Sequence, residues 1–177
     1  MNNYTLVLFS LLLIIFAIAR LATKKKSNHK RKLETASRII KVVSNIDNPA
    51  QKLAYLRKVD PYAFEELILT LLQRKGFVIR RNSRYSGDGG LDGRFEHNRQ
   101  LWLVQAKRYS NRIKQEHVSA FASLLLENNC KGGIFVHTGN TPASVRNYVL
   151  ANKTPQIEII SGDRLLGLFD SSVKSKF

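Results

Sequence analysis

The first hydrophobic signal along the 177 residues is a block rather than a stripe, running from Tyr4 to Ala19 with only Thr5 and Ser10 as polar interruptions. Adding Arg20 to Ala22, whose arginine can snorkel, predicts a helix of about 27 Å, enough to span a bilayer core. Beyond it the pattern turns into stripes. Ala36 to Ile46 and Pro49 to Val59 predict two short amphipathic helices on either side of an Asp47-Asn48-Pro49 turn, and they read as a connector. Asp60-Pro61 then supplies a helix N-cap and a proline at the first helical position. Phe64, Leu67, Ile68, Leu71 and Leu72 follow with the i, i+3, i+4, i+7, i+8 spacing of a half-buried helix, which Gly76 stops.

After Gly76 the period changes. Phe77 to Arg81 predicts a strand, and a glycine-rich loop leads to another at Leu91 to Glu96. His97 to Arg99 turns the chain into a third strand, Gln100 to Arg108. Leu101 and Leu103 point one way in that strand and Trp102, Val104 and Ala106 the other, which predicts a central position covered on both sides. A helix from Lys114 to Asn128 buries Val118, Phe121, Ala122 and Leu125. A strand over Gly133 to Thr138 comes next, then a helix started by Thr141-Pro142, a strand over Ile157 to Ser161, and a short helix with Leu165, Leu166 and Phe169. The order αβββαβαβα is that of an α/β sandwich on a central mixed sheet. The predicted layout is a membrane helix over 1–22, a basic linker with connector helices over 23–59, one domain over 60–170 and a tail over 171–177.

Charge sharpens this layout. The net charge is +16 and the pI near 10.3, so the partner is anionic, either nucleic acid or a lipid surface. Arg20 to Lys41 carries nine basic residues' worth of that excess against Glu34 alone, with Lys24-Lys25-Lys26 and Lys30-Arg31-Lys32 at its heart. Ala17-Ile18-Ala19 would suit a signal-peptide cleavage site. Yet no lysine or arginine precedes the apolar block and a dense cluster follows it, which favours an uncleaved anchor with its N-terminus outside and the rest in the cytoplasm, at an inner membrane. The basic run could equally bind anionic lipid headgroups. A second group of basic residues, among them Arg84, Arg108, Arg112 and Lys114, surrounds the candidate site and suits a phosphate backbone. Cys130 is the single cysteine and reads as packing. With four scattered histidines it excludes both a disulfide framework and a Cys/His zinc site.

Candidate chemistry lies on the two middle strands. Gln105 and Lys107 are two apart and share a face. Burying an unpaired ammonium is costly, so Lys107 at the end of a central strand needs a reason. Asp92 follows the loop Ser86-Gly87-Asp88-Gly89-Gly90, whose glycines allow a sharp turn. If the strands pair as a hairpin, a carboxylate, an amide oxygen and an ammonium converge. That set suits Mg²⁺, with Mn²⁺ as a substitute, and the lysine suits phosphodiester hydrolysis. On the first domain helix, about 100° per residue puts Glu65 at the edge of the apolar stripe, as a metal ligand or metal-water acceptor, and Glu66 in water. An Asp92–Lys107 ion pair that merely ties two strands together fits the same spacing.

The chain resembles the Mrr-like restriction endonucleases, a branch of the PD-(D/E)xK nuclease superfamily, over about Asp60 to Phe169. The matching blocks are Asp60-Pro61-Tyr62-Ala63-Phe64-Glu65, Gly87-Asp88-Gly89-Gly90-Leu91-Asp92, Val104-Gln105-Ala106-Lys107-Arg108-Tyr109, and the late run through Thr138 to Ile160-Ser161-Gly162-Asp163-Arg164-Leu165. The resemblance implies a restriction-endonuclease-like αβββαβ core and metal binding by Asp92. It implies a catalytic role for Lys107, the helix acid at Glu65, and Gln105 where most of the superfamily carries an acid. The glutamine departs from the superfamily but not from this branch. Asp88 matches the loop aspartate, a further candidate for metal or structural support. No separate recognition domain is visible.

The functional expectation is a membrane-anchored, divalent-metal-dependent DNA endonuclease, with a homodimer if both strands are cut. A non-catalytic DNA-docking module of nuclease fold, for instance in DNA transfer, and a protein whose charge serves lipid contact alone are the competing readings.

Overall fold

A computed structural model of the chain describes residues 3–81 and 91–170, with the side chains of 3–8, 10 and 22–29 outside that description. The elements are α1 (Asn3–Ser44), α2 (Pro49–Leu56), α3 (Pro61–Arg74), β1 (Arg80–Arg81), β2 (Gly93–His97), β3 (Gln100–Lys107), α4 (Gln115–Glu127), β4 (Gly132–His137), α5 (Ala143–Ala151), β5 (Gln156–Ile160) and α6 (Gly162–Gly167). The five strands form one sheet in sequence order. β1–β2 and β2–β3 pair antiparallel, and β3–β4 and β4–β5 pair in parallel. The sheet is therefore mixed, as the alternating pattern predicts.

Side-chain alternation on β3 assigns the two layers. Trp102, Val104 and Ala106 join Phe95, Ile134, Val136 and Ile160 in a core closed by α1, α2, α3 and α6. Leu103 joins Phe135 and Ile157 on the opposite face, under Val118, Phe121 and Leu125 of α4 and Val145 of α5. Gly93 permits the first layer to approach closely, since a Cβ there would lie 2.7 Å from Leu69 Cδ2 on α3.

The largest departure from expectation is α1. The stretch assigned to a membrane helix, a linker and a first connector helix is one 42-residue helix, about 63 Å long. Its last turns are not a connector: Ala36, Ile39, Ile40 and Val43 are buried in the main core, as are Leu56 of α2 and Val59. Lys32 of α1 donates to the Asp60 carboxylate, which also caps α3 by accepting from Ala63 N–H at 3.0 Å. Burial alone would raise the Asp60 pKa, but these two bonds hold it below the usual carboxylate range. Farther toward the N-terminus, Phe9, Leu11 to Phe16, Ile18 and Leu21 are all exposed. Among the described residues no helix is long and apolar enough to cross a membrane. Residues 1–8, 10 and 22 of the expected span lie outside the described side chains.

The predicted first strand shrinks from Phe77–Arg81 to Arg80–Arg81, and Val78 is exposed. Between β2 and β3, His97 pairs with Gln100 across Asn98-Arg99, and both central residues have positive φ, 51° and 61°. That is the signature of a type I′ hairpin, which glycine favours at the second position. An arginine held there costs about 1–2 kcal/mol.

Candidate active site

The β2–β3 register pairs Gly93 with Val104 and Phe95 with Trp102. Carried one residue further, it sets Asp92 opposite Gln105, on the face that Lys107 also occupies. Two bonds hold Asp92 there: its N–H donates to Val104 O at 3.1 Å, and its Oδ2 accepts from Ala106 N–H at 2.6 Å. The second bond points the carboxylate at β3 between Gln105 and Lys107. Gln105 is 8% exposed and Lys107 is half-buried at the strand's end. The hairpin thus gathers a carboxylate, an amide and an ammonium on one side of the sheet.

The α3 carboxylates divide differently from the helical-wheel expectation. Glu65 is half-buried, but Glu66 is 2% exposed rather than in water. Its Oε2 accepts from Arg81 Nε at 2.7 Å, and Arg81 also donates to Thr70 Oγ1 at 3.2 Å. The wheel assumed one buried stripe. α3 is packed by α1 as well as by β3, and with Ala63, Phe64, Leu67, Ile68, Leu69, Leu71 and Leu72 all buried it has little solvent face left.

Lys107 has a neighbour to which the spacing gave no functional role. In the parallel β3–β4 register it pairs with His137, which is fully buried and on the same side of the sheet. His137 Nε2 lies 3.0 Å from Thr141 Oγ1, itself 2.9 Å from Ser161 Oγ. Burial, with a lesser contribution from His117, lowers the His137 pKa to about 4. His117 stacks on Tyr109 at 4.7 Å and accepts from Lys114 N–H through Nδ1. Thr138 locks the ends of β3 and β4 together, accepting from Tyr109 N–H and donating to Tyr109 O.

The candidate phosphate contacts separate as well. Arg112 and Lys114 line a groove of about 820 Å³ past the ends of β3 and β4, with Ser110, Asn111, Asn140 and Ser144. Lys114 is 3.2 Å from Glu116 in an exposed pair. Arg108 does not join them: its guanidinium turns inward, donating from Nη1 to Arg57 O at 2.9 Å, with Nε buried. It is half-buried and does not line the groove that holds Arg112 and Lys114. Arg84 and Asp88 lie outside the described residues.

Among the described residues no three His, Cys, Asp or Glu side chains group around a possible metal. Asp92 with Gln105 nevertheless offers a carboxylate and an amide oxygen, a hard-oxygen pair that fits an ion which keeps several waters.

Comparison with known proteins gives the family. Residues 56–169 match the family model Mrr_cat, described as a restriction endonuclease. The chain belongs to the Mrr_cat family. A curated relative, the type IV methyl-directed restriction enzyme EcoKMrr of Escherichia coli K12, is 29% identical over 123 residues, covering 66% of this chain and 40% of that protein. Among solved structures, MspJI restriction endonuclease in complex with a 27-mer oligonucleotide aligns with a TM-score of 0.53 at 23% identity, over 68% of this chain and 30% of that one. The DNA modification-dependent restriction endonuclease AspBHI aligns with the same TM-score at 20% identity, over 80% and 37%. These two likenesses establish a shared fold. The present Mrr_cat chain spans less than half the length of each of these relatives.

Proposed function

We propose that the chain is a divalent-metal-dependent DNA endonuclease anchored in a membrane by its N-terminal helix. The observation that carries the catalytic half is the single sheet face bearing Asp92, Gln105 and Lys107 within a domain that matches Mrr_cat throughout. A divalent ion held by Asp92 and Gln105, with Glu65 or Asp88 as further candidates, would supply Lewis-acid polarisation of a phosphate oxygen. The chain's own part is placement. The Ala106 N–H fixes the Asp92 carboxylate, and Lys107 sets a positive charge where negative charge grows on the reacting phosphate. The DNA substrate is supported by the family's restriction enzymes and by the basic residues around the site.

Supercoiled plasmid incubated with the detergent-solubilised chain and Mg²⁺ or Mn²⁺ is expected to be nicked or linearised, and EDTA to stop it. Lys107→Ala is expected to lower the rate by at least a hundredfold without moving the melting temperature. Undiminished cleavage by that variant would remove Lys107 from the chemistry.

The membrane half of the proposal rests on the apolar block from Tyr4 to Ala19 and on the exposure of Phe9, Leu11 to Phe16, Ile18 and Leu21, which join neither core cluster among the described residues. The basic run that follows favours a cytoplasmic nuclease domain.

A further inference from the structure

The geometry points to a second phosphate-binding surface, formed by Arg80, Arg94 and Arg99 on the open part of the sheet, that holds the DNA backbone beside the cutting site. This rests on the DNA endonuclease reading above. Among the described residues, α4 and α5 cover β3 to β5 on the face that carries Asp92 and Gln105, and neither helix covers β1 or β2. Arg80, Arg94, Glu96 and Leu101 are all exposed there. Alternation puts Arg94 on the same face as Asp92 and two residues along, about 7 Å away. The register sets Arg80 directly beside it on β1. Arg99, at the tip of the hairpin, completes a concavity of about 410 Å³ lined by Arg80, Arg94, Phe95, Glu96, Arg99 and Leu101.

Two further observations separate this surface from an ordinary solvated edge. First, among the described residues none of the three arginines forms an ion pair, although Glu96 lies in the same concavity. Second, Arg99 occupies the left-handed position where a type I′ turn favours glycine. A residue that strains its own turn and carries a charge to the mouth of a basic concavity is explained by a ligand. Because the surface continues the catalytic face, that ligand is the backbone of the nucleic acid being cut. With Arg112 and Lys114 at the other end of β3, it would grip the substrate on both sides of Asp92.

The test measures binding of a fluorescent 30-base-pair duplex to the full chain in detergent. All proteins carry Lys107→Ala, so that no cutting intervenes. Combining Arg80→Gln, Arg94→Gln and Arg99→Gly is expected to weaken binding on the order of tenfold. It should also flatten the plot of log affinity against log salt by about 2–3, close to one unit for each phosphate no longer neutralised. Glu96→Gln should strengthen binding. Arg99→Gly alone should weaken it while melting no lower than its parent, an opposite movement of affinity and stability that a merely structural arginine would not give. Unchanged affinity and salt slope in the triple variant would overturn the inference. So would a loss confined to vesicles containing phosphatidylglycerol, which would assign the surface to lipid. If the chain with Lys107 intact cuts no DNA while the triple variant still loses duplex binding, the endonuclease reading fails and this surface stands.

Discussion

Glu66 and Arg81 form an ion pair in which the carboxylate side chain is 3% exposed and the guanidinium side chain 18%. Removing one partner of such a pair leaves the other charged and poorly solvated, at a cost of about 3 kcal/mol. Glu66→Gln should therefore lower the unfolding free energy by roughly that amount in urea titration, and an unaltered midpoint would show that the pair is idle. His137 acts in the opposite sense. Its folded pKa of about 4 lies below the ordinary 6.5, so between those values the unfolded chain binds the proton that the folded chain refuses. Stability is then full above about pH 6.5 and is lost as pH falls toward 4, by on the order of 3 kcal/mol. His137→Gln should flatten that part of the pH–stability curve. A curve of the same shape in that variant would mean that other groups govern acid unfolding.

At the scale of elements, the two periods told helix from strand nearly everywhere, and most boundaries shifted by only a residue or two. Gln105 and Lys107 were legible because a two-residue spacing on a strand means a shared face. Asp92 was legible because a hairpin was the simplest way to join its strand to theirs. What the pattern hid was packing from a third direction. Nothing in the spacing of Ala63 to Leu72 announces that α1 packs on α3 or that Arg81 of β1 reaches Glu66, so Glu66 looked solvated. The polar, lysine-rich stretch before Ala36 carries no apolar stripe, so the continuity of α1 was invisible too. This alters where the domain can be cut. A fragment starting at residue 60 loses Ile39, Ile40, Val43, Leu56 and Val59 from the core. At roughly 1.5–3 kcal/mol per large buried side chain, that rivals the whole stability of a typical domain, about 5–15 kcal/mol. Residues 60–177 should be recovered as aggregate or molten protein by near-UV circular dichroism, and residues 31–177 as a folded monomer or dimer. Cooperative melting of the shorter piece would contradict the role given to α1.

For the whole molecule, the distribution of charge and apolar surface predicts where the protein is found. The full chain should stay with the membrane fraction after carbonate washing, and removal of residues 1–22 should release it. If both forms wash off alike, the anchor is refuted while the nuclease assignment is untouched, since the Mrr_cat match begins only at residue 56.

Because α1 enters the core without a break, its two ends turn together like the ends of a rigid shaft. Leu21 and Ala36 are separated by some 22 Å of helix, in which each added residue rotates everything downstream by about 100° and lifts it 1.5 Å. One extra alanine would swing the face bearing Asp92, Gln105 and Lys107 to a different compass bearing relative to whatever grips the first turns, whereas seven, nearly two full turns, would almost restore it about 10 Å higher. Activity on substrates presented from a fixed direction would then rise and fall with the number of residues inserted, in step with the helical repeat.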